Sequence, residues 1–412
     1  MKLSEELKWR GYVNQTTIKD LKSLDGKPLN FYIGADPSSD SMTIGNLAAL
    51  KMASCLANHG HKAFLLVGGA TGMIGDPDGK KTERELIPIN EVNVNKQKLS
   101  EQFKNLLKAK QVQIVDNYDW FKDVAYIDFL RDIGKHVPLR QMLGRDFVST
   151  RIKDENAGLS YAEFSYVLIQ AYDFLHLYTV NNVTLQICGS DQWGNSIAGV
   201  DLIRRKTGGE AHVLSMPLII NQQTGEKFGK TEAGAIWLDP SKTTPTQFYQ
   251  FWVNVDDASV ESYLKIYTDL DKQAVDTVLD EHKKDQSKRL AQKKLAEEVT
   301  AWVHGPENAK TAQEVTSYLV GEKNVGEANE QSYEALAQEI PVVKTDSIIE
   351  ALVKSKLASS NTEARRLLTG NAIAVNGKKT SQDKFQTSDF TNGKLIIKKG
   401  KAFKDSAIIE KI

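Results

Sequence analysis

Four short apolar segments alternate with stretches of helical periodicity in the first half of the chain, and this alternation restricts the possible folds more than any other feature. The segments are 29–34, 63–67, 112–115 and 184–188, and glycine ends three of them. Strands that alternate with helices predict a parallel sheet covered by helices on both faces. Ligands of such sheets bind where the carboxyl ends of the strands meet. The polar residues that follow each strand are therefore the first candidates for a site.

The length of 412 residues indicates more than one domain, because a single hydrophobic core rarely grows that large. Helical patterns dominate from 245 to 319, the stretch 321–339 is polar and weakly patterned, and another unit begins near Thr345. We predict an α/β domain with a parallel sheet, a helical domain, a linker and a small α+β domain, at 1–220, 221–320, 321–344 and 345–412.

The composition narrows the class of protein. Residues 346–412 contain 13 Lys and Arg against seven Asp and Glu, a net charge of +6 in a chain whose total charge is zero. This favours a polyanionic partner, although an ordinary solvated surface is an equal alternative. Without an apolar leader or a run of about 18 apolar residues, we expect a cytoplasmic protein with no membrane span. The two cysteines, Cys55 and Cys188, exclude a disulfide framework, and we expect no protein-bound metal.

Two loops that follow strands have the composition of anion-binding turns. The segment 34–47 follows the first strand and opens a helix, so its backbone N–H groups and Gly45 favour the close approach of an anionic ligand. The segment 68–84 is rich in glycine and ends in Lys80, Lys81 and Arg84, which suits phosphate, but it matches neither the dinucleotide nor the Walker pattern. A plain strand–turn–helix and a surface loop are the alternatives.

The helix predicted near 163–177 carries a set of polar residues on one face. Tyr166, Gln170 and Asp173 are four and three residues apart, among apolar neighbours. Buried polar groups need partners, so these side chains either bond to the core or receive a polar ligand.

Two more segments suit a nucleotide. The segment 189–195 follows a strand, which places Asp191 either to bind a ribose hydroxyl or to cap a helix. In the segment 225–231, Lys227 and Lys230 form a second pair of cations, with a solvated turn as the alternative.

Together these segments resemble the bacterial tyrosyl-tRNA synthetases, a family of class I aminoacyl-tRNA synthetases. Thr43–Asn46 occupies the place of the HIGH signature of class I enzymes, and 227–231 matches the KFGKS/T form of their KMSKS signature. Further segments that look like the family are 9–17, 68–77, 129–136, 166–173 and 189–195.

The resemblance implies a Rossmann-like catalytic domain, an α-helical tRNA anticodon-binding domain and a terminal S-four-like RNA-binding domain. It implies that L-tyrosine and ATP form tyrosyl-adenylate and pyrophosphate, and that the tyrosyl group then passes to the 3′ end of tRNA(Tyr). Mg²⁺ would accompany the ATP. The family also implies a homodimer with residues 129–136 at its interface, and no DNA or membrane partner.

The matching positions imply roles for individual residues. Those that would bind tyrosine are Tyr32, Asp76, Tyr166, Gln170, Asp173 and Gln192. Of these, Tyr32 and Asp173 would bind its hydroxyl group. Those that would bind ATP are Gly34, Asp36, Ser38, Gly45, Gly189, Asp191 and Lys230. Those with an implied catalytic role are Thr43, Asn46, Lys80, Arg84, Lys227, Lys230 and Thr231.

One departure from the family concerns the HIGH signature, whose two histidines are replaced by Thr43 and Asn46. Threonine can still bond to a phosphate oxygen and asparagine can donate an N–H group, so we predict a working enzyme. The alternatives are a catalytically weak paralogue with an RNA-binding regulatory role, a synthetase for tryptophan, and a nucleotide-dependent dehydrogenase. The pair Tyr32 and Asp173 argues against the tryptophan enzyme, and the missing GxGxxG pattern argues against the dehydrogenase.

Overall fold

The computed structural model describes residues 1–77, 87–107, 112–143, 146–153, 158–220, 230–231, 234–400 and 405–412. The helices are α1 (Leu3–Trp9), α2 (Ile44–Asn58), α3 (Ile89–Leu106), α4 (Tyr118–Phe121), α5 (Tyr126–Asp132), α6 (Leu139–Leu143), α7 (Asp146–Lys153), α8 (Tyr161–Asn181), α9 (Trp193–Thr207), α10 (Pro245–Val253), α11 (Val260–Tyr267), α12 (Lys272–Lys284), α13 (Leu290–His304), α14 (Pro306–Leu319), α15 (Glu330–Glu339), α16 (Ile348–Lys354) and α17 (Asn361–Thr369). The strands are β1 (Gln15–Thr16), β2 (Asn30–Ala35), β3 (Lys62–Val67), β4 (Val112–Asp116), β5 (Val183–Gly189), β6 (His212–Met216), β7 (Lys230–Thr231), β8 (Gly234–Ala235), β9 (Val342–Lys344), β10 (Ile373–Val375), β11 (Lys378–Lys379), β12 (Lys394–Lys399) and β13 (Ser406–Glu410).

The chain divides into two units. Unit 1 consists of residues 1–242 and 256–280, and unit 2 consists of residues 243–255 and 281–412. The described helices include none that is long and apolar enough to cross a bilayer.

Unit 1 is built on a six-stranded sheet in the order β1-β6-β5-β2-β3-β4. The five strands from β2 to β6 are parallel, and β1 pairs antiparallel with β6 at the edge. All four predicted strands are present within a residue or two of their predicted bounds, so the predicted parallel α/β sheet is confirmed.

Helix α8 begins at a serine cap, because the Ser160 hydroxyl accepts a hydrogen bond from the backbone N–H of Glu163.

A stretch late in the sequence belongs to unit 1 because the N-terminal segment holds it there. Arg10, which is 6% exposed, donates hydrogen bonds to the carbonyl oxygens of Lys265, Thr268 and Leu270. The Tyr12 hydroxyl donates to the carbonyl oxygen of Ile266 at 2.6 Å. These contacts explain why 256–280 lies in unit 1, although the sequence pattern predicts it as part of a separate helical domain.

Unit 2 combines a helical part with a second sheet. Its five strands follow the order β11-β10-β12-β13-β9, in which β9 and β13 are parallel and the other pairs antiparallel. The predicted turn at Asn376 and Gly377 joins β10 to β11, and both residues have positive φ angles, of 46° and 77°. Two helices, α16 and α17, pack on this sheet, so the predicted α+β architecture of the C-terminal segment is confirmed.

The predicted linker at 321–344 needs correction, because most of it is regular structure. It contains α15 and β9 and the buried residues Leu336 and Ile340, which pack against Ile396 and Ile408 of the sheet. Few residues of α15 face the core, so its sequence shows a weak apolar period.

Candidate active site

A cleft of about 480 Å³ opens in unit 1 at the carboxyl ends of β2 and β5. Parallel strands bring their polar end residues together at this edge. Fourteen predicted site residues line the cleft, and they are Tyr32, Gly34, Asp36, Ser38, Thr43, Gly45, Asn46, Asp76, Tyr166, Gln170, Asp173, Gly189, Asp191 and Gln192.

At one end of the cleft, Tyr32 of β2 and Asp173 of α8 are almost fully buried. The Tyr32 hydroxyl has no hydrogen-bond partner among the described residues. The Asp173 carboxyl accepts hydrogen bonds from Asn117 Nδ2 at 3.1 Å and from Trp120 Nε1 at 2.9 Å. An unpaired buried hydroxyl next to a held carboxyl is suited to a ligand that carries its own hydroxyl group.

Burial raises the pKa of the Asp173 carboxyl from 3.8 to about 8, even though the bonds from Asn117 and Trp120 oppose the shift. The folded state therefore favours the neutral carboxyl. Its contribution to stability is present at low pH and is lost as the pH rises from about 4 to about 8.

A first prediction concerns this linkage. In Asp173→Asn the residue can no longer release a proton, so the free energy of unfolding of the wild type should fall relative to that of the variant as the pH rises from about 4 to about 8. Urea unfolding at several pH values measures this difference. Parallel stability curves for the two proteins would contradict a raised pKa at Asp173.

Further along the cleft, Asp36 follows β2 and is held by two hydroxyl groups. Thr71 Oγ1 donates to Asp36 Oδ1 at 2.6 Å, and the Tyr166 hydroxyl donates to Asp36 Oδ2 at 2.8 Å. The close approach explains the glycine at position 68, where a Cβ atom would lie 2.3 Å from Asp36 Oδ1. The arrangement fixes a carboxylate beside the polar face of α8.

A second carboxylate, Asp76, is held from the opposite side of the cleft. Gln192 Nε2 donates to Asp76 Oδ2 at 2.5 Å, and Gln192 Oε1 accepts a bond from Asn195 Nδ2 at 3.1 Å. The polar face of α8 also brings Gln170 to the cleft. Fixed carboxylates near an amide can bind a substrate that carries both an ammonium and a carboxylate group.

At the other end of the cleft, Thr43 and Asn46 form the start of α2. Asn46 Oδ1 accepts hydrogen bonds from the Thr43 backbone N–H at 3.0 Å and from the Thr43 hydroxyl at 3.3 Å. Because its oxygen is engaged in this way, the Asn46 amide keeps N–H groups that can donate to a ligand. Gly45 and the first turn of α2 line the cleft next to them, as expected for a site that receives phosphate.

Residues 237–238, from later in the chain, form hydrogen bonds with this turn. Thr43 forms an isolated antiparallel bridge with Trp237, and the N–H of Leu238 donates to the carbonyl oxygen of Met42 at 2.9 Å. Trp237 also lines the cleft.

Several predicted site residues cannot be placed in the cleft. Lys80, Arg84 and Lys227 lie outside the described residues. For Lys230 and Thr231 only the backbone is described, and it forms β7, which pairs with β8. Their implied contacts with ATP therefore stay predictions.

The sequence pattern did not single out Thr71, Asn117 and Trp120, although all three shape the site. Asn117 Nδ2 donates to Thr71 Oγ1 and to Asp173 Oδ2, each at 3.1 Å, so it links Asp173 to Asp36 through the Thr71 hydroxyl. Asn117 lies two residues after the predicted strand at 112–115 and directly after β4, and the rule that polar residues follow strands could have identified it.

Both cysteines are buried and unpaired by disulfides, as predicted. Away from the cleft, Cys55 lies near His59 and Glu6, with ligand atoms within 4.8 Å of one another. Glu6 already accepts a hydrogen bond from Arg10 Nε at 2.7 Å and one from His59 Nε2 at 2.8 Å. These bonds account for the cluster without a metal ion, and the expectation of no protein-bound metal stays a prediction.

Comparison with known proteins gives the chain a family. The family model described as tRNA synthetases class I (W and Y) matches residues 24–321. The model described as the tyrosine–tRNA ligase SYY-like C-terminal domain matches residues 332–403. Together the two models span both units.

Individual proteins that are similar to this chain carry the same family name. Tyrosine–tRNA ligase 2 of Bacillus cereus is 41% identical, over 97% of this chain and 98% of its own length. Tyrosine–tRNA ligase 1 of Enterococcus faecalis is 40% identical over the same shares. A C-terminally truncated mitochondrial tyrosyl-tRNA synthetase of Aspergillus nidulans superposes with a TM-score of 0.70 at 28% identity, covering 77% of this chain and 94% of that one. With an α/β sheet that carries the cleft at its carboxyl edge, the chain belongs to the tyrosine–tRNA ligases, a family of class I aminoacyl-tRNA synthetases.

Proposed function

We propose that the chain activates L-tyrosine with ATP and transfers the tyrosyl group to the 3′ end of tRNA(Tyr). The observation that carries the proposal is the buried end of the cleft, where the unpaired Tyr32 hydroxyl lies with the held Asp173 carboxyl. A substrate without a hydroxyl group would leave these buried groups without partners. Tyrosyl-tRNA synthetases are the standard example of rejecting phenylalanine in this way.

The remaining cleft residues suit the other groups of the substrates. Asp76, Tyr166 and Gln170 would hold the ammonium group of tyrosine, and Gln192 would lie near its carboxylate. Asp191 and Gly189 would bind the ribose. The residues proposed to hold the ATP phosphates are Ser38, Thr43, Gly45, Asn46, Lys80, Arg84, Lys227, Lys230 and Thr231. Asp36 would lie between the two substrates.

The first step joins a carboxylate oxygen of tyrosine to the α-phosphorus of ATP while the bond to pyrophosphate breaks. The nucleophile is already ionised, so the residues need not remove a proton. Rate enhancement then rests on alignment and on stabilising the charge that develops on the phosphates. Asn46 can donate a neutral hydrogen bond for this purpose, and the Thr43 hydroxyl can do so when its hydrogen turns from Asn46 Oδ1 to a phosphate oxygen.

ATP would bring Mg²⁺ with it, as part of the substrate. Asp36 and Asp76 are already held by hydroxyl and amide donors, so they are poor candidates for direct metal ligands. We assign the ion to the phosphates and water, which are the ligands Mg²⁺ favours in nucleotide sites.

In the second step, a hydroxyl of the terminal ribose of the tRNA attacks the carbonyl carbon of the adenylate, an ester forms and AMP leaves. We assign tRNA binding to unit 2, with its helices α10, α13 and α14 at the anticodon and residues 345–412 as an S-four-like RNA-binding domain. The net charge of +6 on residues 346–412 supports this assignment. We place the reaction in the cytoplasm, with the tRNA it serves.

Pyrophosphate exchange into ATP tests the proposal. The purified protein should catalyse exchange that depends on tyrosine, with far less exchange for phenylalanine or tryptophan. Absence of exchange with every amino acid, from a protein that remains folded, would overturn the enzymatic proposal and favour an RNA-binding regulatory paralogue.

We also propose that the protein is a homodimer. Large apolar side chains are exposed on the consecutive elements α5 to α8, among them Tyr126, Ile127, Leu139, Ile152 and Tyr161. Ile127 is 70% exposed. Exposed apolar side chains of this size mark interaction surfaces, and this group includes α5, which overlaps the predicted interface at 129–136.

A second prediction follows for this surface. Ile127→Glu should shift the protein to the monomer in sedimentation velocity at micromolar concentration, because a charge in an apolar interface loses its hydration. Val180→Glu is the matched control, since Val180 is 62% exposed at the other end of α8 and should leave the assembly unchanged. A wild-type monomer, or an Ile127→Glu dimer of undiminished affinity, would contradict this interface.

A further inference from the structure

The first turn of α9 contains a buried amide to which no role has been given. Asn195 is 1% exposed, and its Nδ2 atom donates a hydrogen bond to Gln192 Oε1 at 3.1 Å. Its Oδ1 atom is buried and has no hydrogen-bond partner among the residues that the structure describes. A buried amide with one polar atom unpaired costs free energy, so stability alone does not explain an asparagine at this position.

Helix α9 holds Gln192 at two points. The residue directly precedes the helix, and its backbone carbonyl oxygen accepts a hydrogen bond from the Ser196 hydroxyl at 2.9 Å. Its side chain is held by Asn195, at a spacing that brings side chains of one helical turn together. Of Gln192 and Asn195, only Gln192 lines the cleft, so Asn195 can act on a ligand through Gln192.

The bond from Asn195 decides which atom of the Gln192 amide faces the cleft. An amide carries an oxygen that accepts and a nitrogen that donates, and these two ends exchange places when the group turns over. With Oε1 bound to Asn195, Nε2 donates to Asp76 Oδ2 at 2.5 Å and keeps a second N–H group. The opposite orientation would point Oε1 at the Asp76 carboxylate, with no hydrogen between the two oxygen atoms.

We propose that Asn195 is a positioning residue of the tyrosine site, which orients the Gln192 amide so that its second N–H group donates to the carboxylate of tyrosine. The inference rests on the proposed function, which puts Gln192 near that carboxylate. A carboxylate accepts hydrogen bonds and cannot donate them, so an amide that is turned over would repel it. Asn195 thereby favours substrates that carry a carboxylate, the group that attacks ATP.

The test compares tyrosine with tyramine, which has the same phenol ring and an ammonium group but no carboxylate. Isothermal titration calorimetry with the full-length protein gives the dissociation constant of each. In Asn195→Leu, which keeps the approximate size of the side chain and removes the donor, we expect tyrosine to bind about tenfold more weakly, the size of a hydrogen bond to a charged group. The affinity for tyramine should stay nearly constant, so the preference for tyrosine over tyramine should fall about tenfold.

A structural role of Asn195 would weaken the binding of both ligands alike, so an unchanged preference would overturn the inference. The matched control is Asn95→Leu, the same substitution at an asparagine of α3 that is 2% exposed and donates to the carbonyl oxygen of Pro37 at 3.1 Å. It should keep the wild-type preference. Asn195→Ala also lacks the donor, and it takes the place of Asn195→Leu if that variant does not fold.

A double-mutant cycle shows whether Asn195 acts through Gln192. In a Gln192→Leu background, Asn195→Leu should cause no further loss of preference, because the amide that it orients is gone. A further loss of about tenfold in that background would show that Asn195 acts by another route. Failure of the wild type to bind tyrosine would instead refute the proposed function, so the two failures are distinguishable.

Discussion

Replacing Asp173 with alanine is expected to lower kcat/KM for tyrosine in pyrophosphate exchange by about a thousandfold. The variant removes a partner of the phenol hydroxyl. It also leaves Asn117 Nδ2 and Trp120 Nε1 buried with one acceptor fewer. Losing the bond to Asp173 and leaving the phenol hydroxyl buried without that partner together cost roughly 4 kcal/mol, which corresponds to this factor.

Pyrophosphate exchange with phenylalanine shows whether the variant has lost recognition of the hydroxyl group or is damaged in general. Its kcat/KM should fall much less in Asp173→Ala, because it has no hydroxyl group to lose a partner. Asp119→Ala is the matched control, since Asp119 is 68% exposed one position before Trp120 and should retain wild-type exchange. Tyrosine exchange within tenfold of the wild type would show that Asp173 does not recognise the hydroxyl group.

The second large effect is expected at a buried ion pair between α7 and α8. Arg151 and Glu163 have side chains only 3% and 4% exposed, and the two guanidinium Nη atoms each donate to one carboxylate oxygen at 2.8 Å. Glu163→Leu should lower the free energy of unfolding by about 3–5 kcal/mol, because it leaves a guanidinium buried without its counter-charge. Urea denaturation followed by far-ultraviolet circular dichroism measures the loss.

Removing both charges should recover most of that loss. In Arg151→Met combined with Glu163→Leu no ion remains to be desolvated, so the double variant is expected near the wild type. The pair of Arg204, whose side chain is 66% exposed, and Asp201 supplies the control, since Arg204→Met should leave stability nearly unchanged. A single variant as stable as the wild type, or a double variant less stable than the single one, would contradict this view of the pair.

The sheet and most of the cleft could be predicted because they follow local rules. Buried strands are apolar and short, and the residues after their carboxyl ends, such as Asp36 and Asp191, converge at one edge. The face shared by Tyr166, Gln170 and Asp173 follows from helical period alone.

Other parts depend on contacts that sequence order does not reveal. Tyr267 lines the cleft because its segment is docked on Arg10 and Tyr12, far away in the chain. Gln186 is a single polar residue within an apolar strand, and the sequence alone does not predict that it is buried and lines the cleft. The apolar period of 330–339 is too weak to predict helix α15 from the sequence, because this helix is stabilised by packing against the C-terminal sheet.

The bonds from Arg10 to the carbonyl oxygens of 265–270 join residues at least 255 positions apart. A ribosome makes the chain from its N-terminus, so α1 emerges long before the backbone it binds exists. Until then the Arg10 guanidinium has only its local partner, Glu6. Completion of unit 1 must therefore wait until residue 270 has left the exit tunnel, by which time α10 of unit 2 has already been synthesised. Nascent chains halted before that point should expose the N-terminal segment to chaperones and proteases.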